Sequence, residues 1–471
     1  MNARLDLLSV ESYEAGVIPE ELRNSAEKII NYAGIPKSQA DILMVHLKDF
    51  RSFKDRSLFD PRTRKVRESI IPIFFNIYSS VLKRVLQEKN SSRLYQMFLI
   101  YGYMDENLLK PEQVNELYEL LDEPAFYRKN PVYNAKDWLT AIRNMEKDPS
   151  INELGQDYYE VLREKNKRGE IKDKSAYENN VDERLKHEVD NLLKIGQKLC
   201  FGQIGGYFPI LHSGMVSKSF SDTLVSPQKI EDSLNRILKV DYSALHREIV
   251  YNQPEKGIKK ELIMKSVCPD FILMPTFGSR ASVWQELAGR VRHSPGRFIF
   301  PVFTTENLDD LMIEVIPKFR WELSKSMFSY ARNEVGQNSL VGDYTNYIQF
   351  YKKNRELSEE AKGKIRLQIE KCRNNIGDLF SADYNTWINY EAKGLLRLNK
   401  VARNILFKHC PFAKPIRDNL ERHPIYNQLI TSFNNLQIKD AKVLEAHYAK
   451  MVLPGNHLDQ ELMLNLQFHK M

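Results

Sequence analysis

The chain has 471 residues, 42% hydrophobic and 28% charged, with a net charge of +7. That length supports a core needing no disulfide or metal staple, and the composition excludes wholesale disorder. The mild basic excess is interspersed with acids, whereas a dedicated nucleic-acid binder gathers its lysines and arginines on one face.

The N-terminus, MNARLDLLSVESYEAG, has early acids and no apolar run before a small-residue cleavage site, unlike a signal peptide. Helical spacing follows around 20–33, 38–49, 66–88, 91–101, 111–122 and 134–145. The greasiest stretch, IIPIFFNIYSSVL, is interrupted by Pro72 and Asn76 and is too short to span a bilayer, so no membrane span is expected. Ser150 and Glu153 stand at capping-box spacing ahead of another helix. The charged stretch 163–190 reads as a linker or an exposed helix.

Strand-like runs occur only in the middle: GYFPIL near 206–211, DFILMP at 270–275 and RFIFPVF at 297–303. Between them, Ser226 is placed to cap a helix that opens with Pro227 and aligns Ile230, Leu234, Ile237 and Leu238. Beyond 305 an apolar stripe from Leu308 to Phe319 marks a helix, with Pro317 as a kink. The expected fold is mainly α with a small α/β centre, multi-helical N- and C-terminal regions flanking a few short strands. Its expected regions are 1–160 (helical), 161–194 (charged linker or exposed helix), 195–325 (mixed α/β) and 326–471 (helical).

Cys200, Cys268, Cys372 and Cys410 are scattered without CxxC spacing, which argues against a zinc ribbon or a disulfide framework and for a reducing cytoplasm. No GxSxG elbow or paired-histidine motif is present, and adjacent residues such as His409 and Cys410 point too far apart on a helix to form a dyad.

The densest polar motif is PTFGSRASVWQELAGRVRHSPGR, residues 275–297. A strand ending at Met274 or Pro275, a turn through Gly278 and Ser279 and a helix from about Ala281 would present backbone N–H groups and Arg280 to an anion. The candidate ligand-binding residues are Gly278, Ser279, Arg280, Trp284, Glu286, Arg290, Arg292 and Arg297. The competing account makes Trp284 a core anchor and pairs the arginines with carboxylates. A zinc-protease frame also overlays Glu286, but Gln285 and Gly289 stand where its histidine ligands belong, so no metal or cofactor is expected.

A second motif, YTNYIQFYKKNR, sets Tyr344, Tyr347 and Tyr351 beside Lys352 and Lys353, a mixture suited to stacking bases and neutralising phosphates. The same tyrosines fall at i, i+3 and i+7, one face of a packed helix.

The segments DFILMPTFGSRASVWQE, YIQFYKKNRELS and RLNKVARNILFKHCPFAKPIR, spread over residues 200–425, resemble parts of a family of large uncharacterised bacterial cytoplasmic proteins. Some of its members are labelled as containing a cyclic-nucleotide-binding domain. The Gly-Glu and following Arg of that domain's phosphate cassette are missing from 195–225, so the resemblance implies a compartment and no mechanism. The function expected is that of a regulatory or scaffolding protein acting through a protein partner or a second copy of the chain. An enzyme or sensor binding a phosphorylated or carboxylated small molecule near 278–297 is one alternative, and a nucleic-acid-binding protein is the other.

Overall fold

The computed structural model describes residues 18–53, 60–88, 91–122, 132–199, 210–211, 213–216, 218–284, 294–328, 339–451 and 457–471. It is mainly helical with two small sheets, as the sequence pattern implies. In chain order come α1 (Ser25–Ala33), α2 (Lys37–Ser52), α3 (Pro61–Gln87), α4 (Arg93–Tyr101), α5 (Pro111–Glu119), β1 (Val132–Asn134) and α6 (Ala135–Arg143). Then follow α7 (Tyr158–Lys167), α8 (Ser175–Glu178), α9 (Val181–Lys198), α10 (Phe220–Thr223), α11 (Pro227–Leu238), β2 (His246–Gln253) and β3 (Ile258–Ser266). The remaining strands are β4 (Asp270–Phe277), β5 (Ser282–Val283) and β6 (Arg297–Phe303). Helices complete the chain: α12 (Leu308–Phe328), α13 (Leu340–Phe350), α14 (Glu359–Lys371), α15 (Ile376–Asn389), α16 (Lys400–His409), α17 (Lys414–Leu420), α18 (Pro424–Met451) and α19 (Gln460–Phe468).

Local chemistry sets many of these boundaries. Asp60, Ser92 and Asn134 accept backbone N–H bonds at the starts of α3, α4 and α6, satisfying donors that a helix end leaves open. Ser226 and Pro227 open α11 as expected. The helix after Ser150 differs: α7 begins at Tyr158, and Asp157 with Glu160 forms its capping box. Ser150 is instead fully buried in a polar network described below.

The four expected regions regroup into two compact units, each assembled from separate stretches of chain. One comprises residues up to Ile230 with Asp270–Gln285 and Arg297–Leu311; the other comprises Glu231–Pro269, Glu286–Gly296 and Met312–Met471.

In the first unit the sheet order is β1-β4-β6-β5. β4 pairs in parallel with β1 and β6, and β5 runs antiparallel to β6. Every residue of β4 and β6 is buried, which is why both read as unbroken apolar runs rather than alternating ones. The expected GYFPIL strand falls largely outside the described residues, and Ile210 and Leu211 are not in a strand. By length and composition α3 could cross a membrane, and Pro72 does not end it. Here its apolar face is packed: Phe74, Ile77, Val81 and Leu82 are fully buried in the unit's core with Phe98 of α4, as in the core helix of a folded protein.

The second unit is built on a β2–β3 ribbon and the helices from α12 onward. The ribbon turns through Pro254–Gly257, with Gly257 at φ 75°, a conformation that favours glycine. Its inner residues Ile258 and Ile263 pack with Tyr448 of α18 and Leu462 of α19. Asn465 of α19 accepts from Met264 N at 2.8 Å and donates to Tyr448 at 2.7 Å. Deeper in the unit, Trp387 stacks on Phe412 with centroids 3.9 Å apart, and the buried Arg403–Glu391 pair at 2.8 Å ties α16 to the turn after α15.

Candidate functional site

The motif at 275–297 does not form the expected helix start. Ser282 and Val283 are extended and pair with Ile299 and Phe298. The turn's backbone donors already have acceptors: Gly278 N bonds Phe303 O, and Ser279 N and Arg280 N both bond Leu199 O, each at 3.0 Å. A Cβ on Gly278 would stand 2.8 Å from Leu199 O and 3.0 Å from Pro301 Cβ, so glycine here serves close backbone packing. Trp284 anchors locally, its Nε1 donating to Ile151 O at 2.9 Å while Lys198 lies 4.6 Å from its ring centre. Arg280 is exposed; Glu286, Arg290 and Arg292 lie outside the described residues.

Arg297 is enclosed. Its guanidinium donates to Ser150 Oγ and, at 2.6 Å, to Asp148 O, and lies 4.6 Å from the Trp138 ring centre. Ser150 Oγ donates in turn to Glu188 at 2.7 Å, and Glu188 also accepts from Trp138 Nε1 at 2.6 Å and from Ser150 N. His187 and Asn191 reach Ser150 O at 2.9 and 3.1 Å. Lys147 pairs with Asp270 at 2.9 Å. The charged stretch 163–190 is therefore not a linker: Glu188 and Arg184 are buried, and α9 carries them inward because these groups satisfy one another there. At Arg297, burial pulls the guanidinium pKa down while Glu188, Asp270 and Asp148 oppose it.

The tyrosine motif is also internal. Tyr344, Tyr347 and Tyr351 are buried. Tyr344 packs edge-on against Trp321 and Phe380, and the Tyr347 hydroxyl accepts from Asn399 at 2.8 Å. These rings offer no open face for a base, although Lys352 and Lys353 are exposed.

What the sequence reading did not find is a polar cavity of about 140 Å³ in the second unit. Consecutive residues His246, Arg247 and Glu248 at the start of β2 form one part of its lining. Arg320, Leu323 and Ser324, one face of α12, form another. Ser339 and Leu340 at the start of α13, His409 at the end of α16 and Met264 of β3 complete it.

The positions of these groups are fixed by their neighbours. Arg320 donates to the carbonyls of Ser243 and His409, so it contributes a fixed positive field. Ser243 is held by Asp241, which accepts from its N and Oγ and from Tyr384 at 2.8 Å. His409 turns away from Cys410 and meets Asp343 at 2.7 Å, sharing that oxygen with Lys408. Ser324 and Ser339 accept from Val341 N and Gly342 N at the start of α13, leaving their hydroxyls able to donate.

Burial controls the protonation of this lining. It pushes the His246 imidazole down to about 4, with Arg320 adding to the effect. It lowers His409 against the opposing pull of Asp343, and raises Glu248. The adjacent Cys410 thiol is pushed up to about 12 by burial and is not a nucleophile at neutral pH. The histidines are neutral at pH 7, and the arginines supply the positive charge.

A family profile described as a domain of unknown function (DUF8509) matches residues 329–468. That match includes Ser339, Leu340 and His409 of the cavity, while β2, β3 and α12 lie before it. No curated protein and no solved structure matches the chain.

Proposed function

We propose that the chain acts by binding, and that its second unit receives a small anionic group in the cavity beside Arg247 and Arg320. The observation that carries this reading is that Arg247, Ser324 and Ser339 line one cavity beside the buried positive charge of Arg320. A guanidinium suits a carboxylate or phosphoryl group through its planar fork. The scaffolding reading, drawn from helical content, names no residue; the anionic-ligand alternative does, moved here from residues 278–297.

Calorimetric titration of the full chain with sulfate and with small carboxylates tests the proposal. Saturable binding that weakens at least tenfold in Arg247→Gln is expected. Binding unchanged in that variant, or none, would refute it.

A further inference from the structure

We infer that the anion received in this cavity carries its own O–H donor, as hydrogen phosphate and the 2-hydroxy acids do. This rests on the proposed anion site and specifies its ligand. The unexplained group is Glu248. Its carboxyl lines the cavity and is half-buried, yet it has no hydrogen-bond or ion-pair partner among the described residues. Met264 stands opposite it on the ribbon, and burial raises its pKa with no cation set against that effect. Glu188, Asp270 and Glu391, by contrast, are each met by donors. A carboxyl left in this state suits a donor brought by a ligand.

His409 supplies a second acceptor. Its Nε2 donates to the Asp343 carboxylate at 2.7 Å, which fixes the hydrogen on that nitrogen and leaves Nδ1 with a lone pair while the ring is neutral. Nδ1 has no partner among the described residues, and the side chain keeps 15% of its surface accessible, so the ring is not sealed off. The lining thus holds two kinds of group. The Arg247 charge and the hydroxyls of Ser324 and Ser339 favour negative charge, whereas Glu248 and His409 Nδ1 favour a hydrogen. A fully deprotonated oxyanion satisfies the first kind and is repelled by Glu248, at a cost that partial removal from water increases. One proton between the ligand and Glu248 turns that repulsion into a charge-assisted hydrogen bond, whichever oxygen carries it.

The test is calorimetric titration of the full-length protein at pH 7.5 with two matched pairs, phosphate against sulfate and glycolate against acetate. Phosphate is then mainly the hydrogen-bearing dianion, matched to sulfate in charge and shape. The member with the O–H donor is expected to bind about tenfold or more tightly. A preference confined to the first pair identifies a phosphoryl ligand, and one confined to the second a hydroxy acid. In Glu248→Gln the charge is gone and the amide can turn its N–H groups toward the ligand. Sulfate and acetate are therefore expected to bind that variant more tightly than wild type, a gain that a damaged fold does not produce, and the preference to fall to about threefold or less. Equal affinity within both pairs, or a preference undiminished in Glu248→Gln, overturns the inference while leaving an Arg247-dependent anion site standing. If none of the four binds, the anion site and this inference fall together.

Discussion

Two groups of polar side chains behave differently in this molecule. Around Ser150, each charged side chain is enclosed by protein partners: Glu188 by Trp138 and Ser150, Arg297 by Ser150 and Asp148, Asp270 by Lys147. Around the second unit's cavity, Arg320 is equally well held and His409 is paired with Asp343, while the lining, with His246, Arg247 and Glu248, also borders open volume. The first arrangement uses polarity to fix a fold. The second holds polar groups in place without filling the space between them, which is the arrangement a binding site requires.

The contrast is broken most severely at Glu188. Glu188→Ala leaves the donors of Trp138 and Ser150 unmatched and removes the carboxylate whose charge most favours the enclosed Arg297 guanidinium. A loss of about 3 kcal/mol or more is expected, read as a lowered urea midpoint of the first unit's transition.

Asp383, in the second unit, tests the opposite case of a buried carboxyl served by neutral donors. It accepts from Gln368 at 2.8 Å and Tyr344 at 3.4 Å, and burial pushes its pKa up to about 6 despite those bonds. Between 3.8 and about 6 the folded chain therefore binds the proton that the unfolded chain has lost, so this group's effect is to lower stability as pH rises through that window. Asp383→Asn is expected to raise stability at pH 7, by at most about 3 kcal/mol, and to remove that slope. Denaturant titrations at pH 4, 5, 6 and 7 measure both.

His246 has the reverse sign. Its folded pKa of about 4 lies below the 6.5 of an unhindered imidazole, so the unfolded chain binds more protons between those values. Stability is lost as pH falls from 6.5 toward 4. His246→Gln should flatten this limb, and wild type and Asp383→Asn should both retain it.

The smallest effect on folding is expected at Arg247, whose side chain is half-buried on the ribbon. Arg247→Gln should shift stability by no more than about 0.5 kcal/mol while weakening anion binding at least tenfold. A large stability loss would place Arg247 with the enclosed charges of the first unit and erase the distinction between the two regions.

The helices were legible because their signals are local. Ser226 before Pro227 and the apolar spacing of Ile230, Leu234 and Ile237 specify α11 within one stretch of sequence. β4 and β6 were legible as apolar runs, but their parallel pairing was not. The β2–β3 ribbon was missed although Pro-Glu-Lys-Gly marks its turn and Ile249, Tyr251, Ile263 and Glu261 alternate with exposed neighbours. Many charges on HREIVYNQ and IKKELIMKS hid that alternation. The same bias concealed α9's buried face, since a buried Glu188 is recognisable only once Trp138 and Ser150 are beside it. The cavity combines residues from 246 to 409, so no local motif could have announced it.

The pairing of β1 with β4 sets a timetable for synthesis. β1 ends at Asn134, and its partner begins only at Asp270. At ribosomal speeds of about 5–20 residues per second, β1 waits on the order of ten seconds for the strand beside it. β6 arrives later still, at Arg297–Phe303. Meanwhile the apolar surfaces of α4, α6 and α9 that will cover β4 remain open to chaperones or to other nascent chains. A fragment ending at Ile230 is left permanently in that condition and should aggregate, although it contains every residue of the first unit's helices α1 to α10.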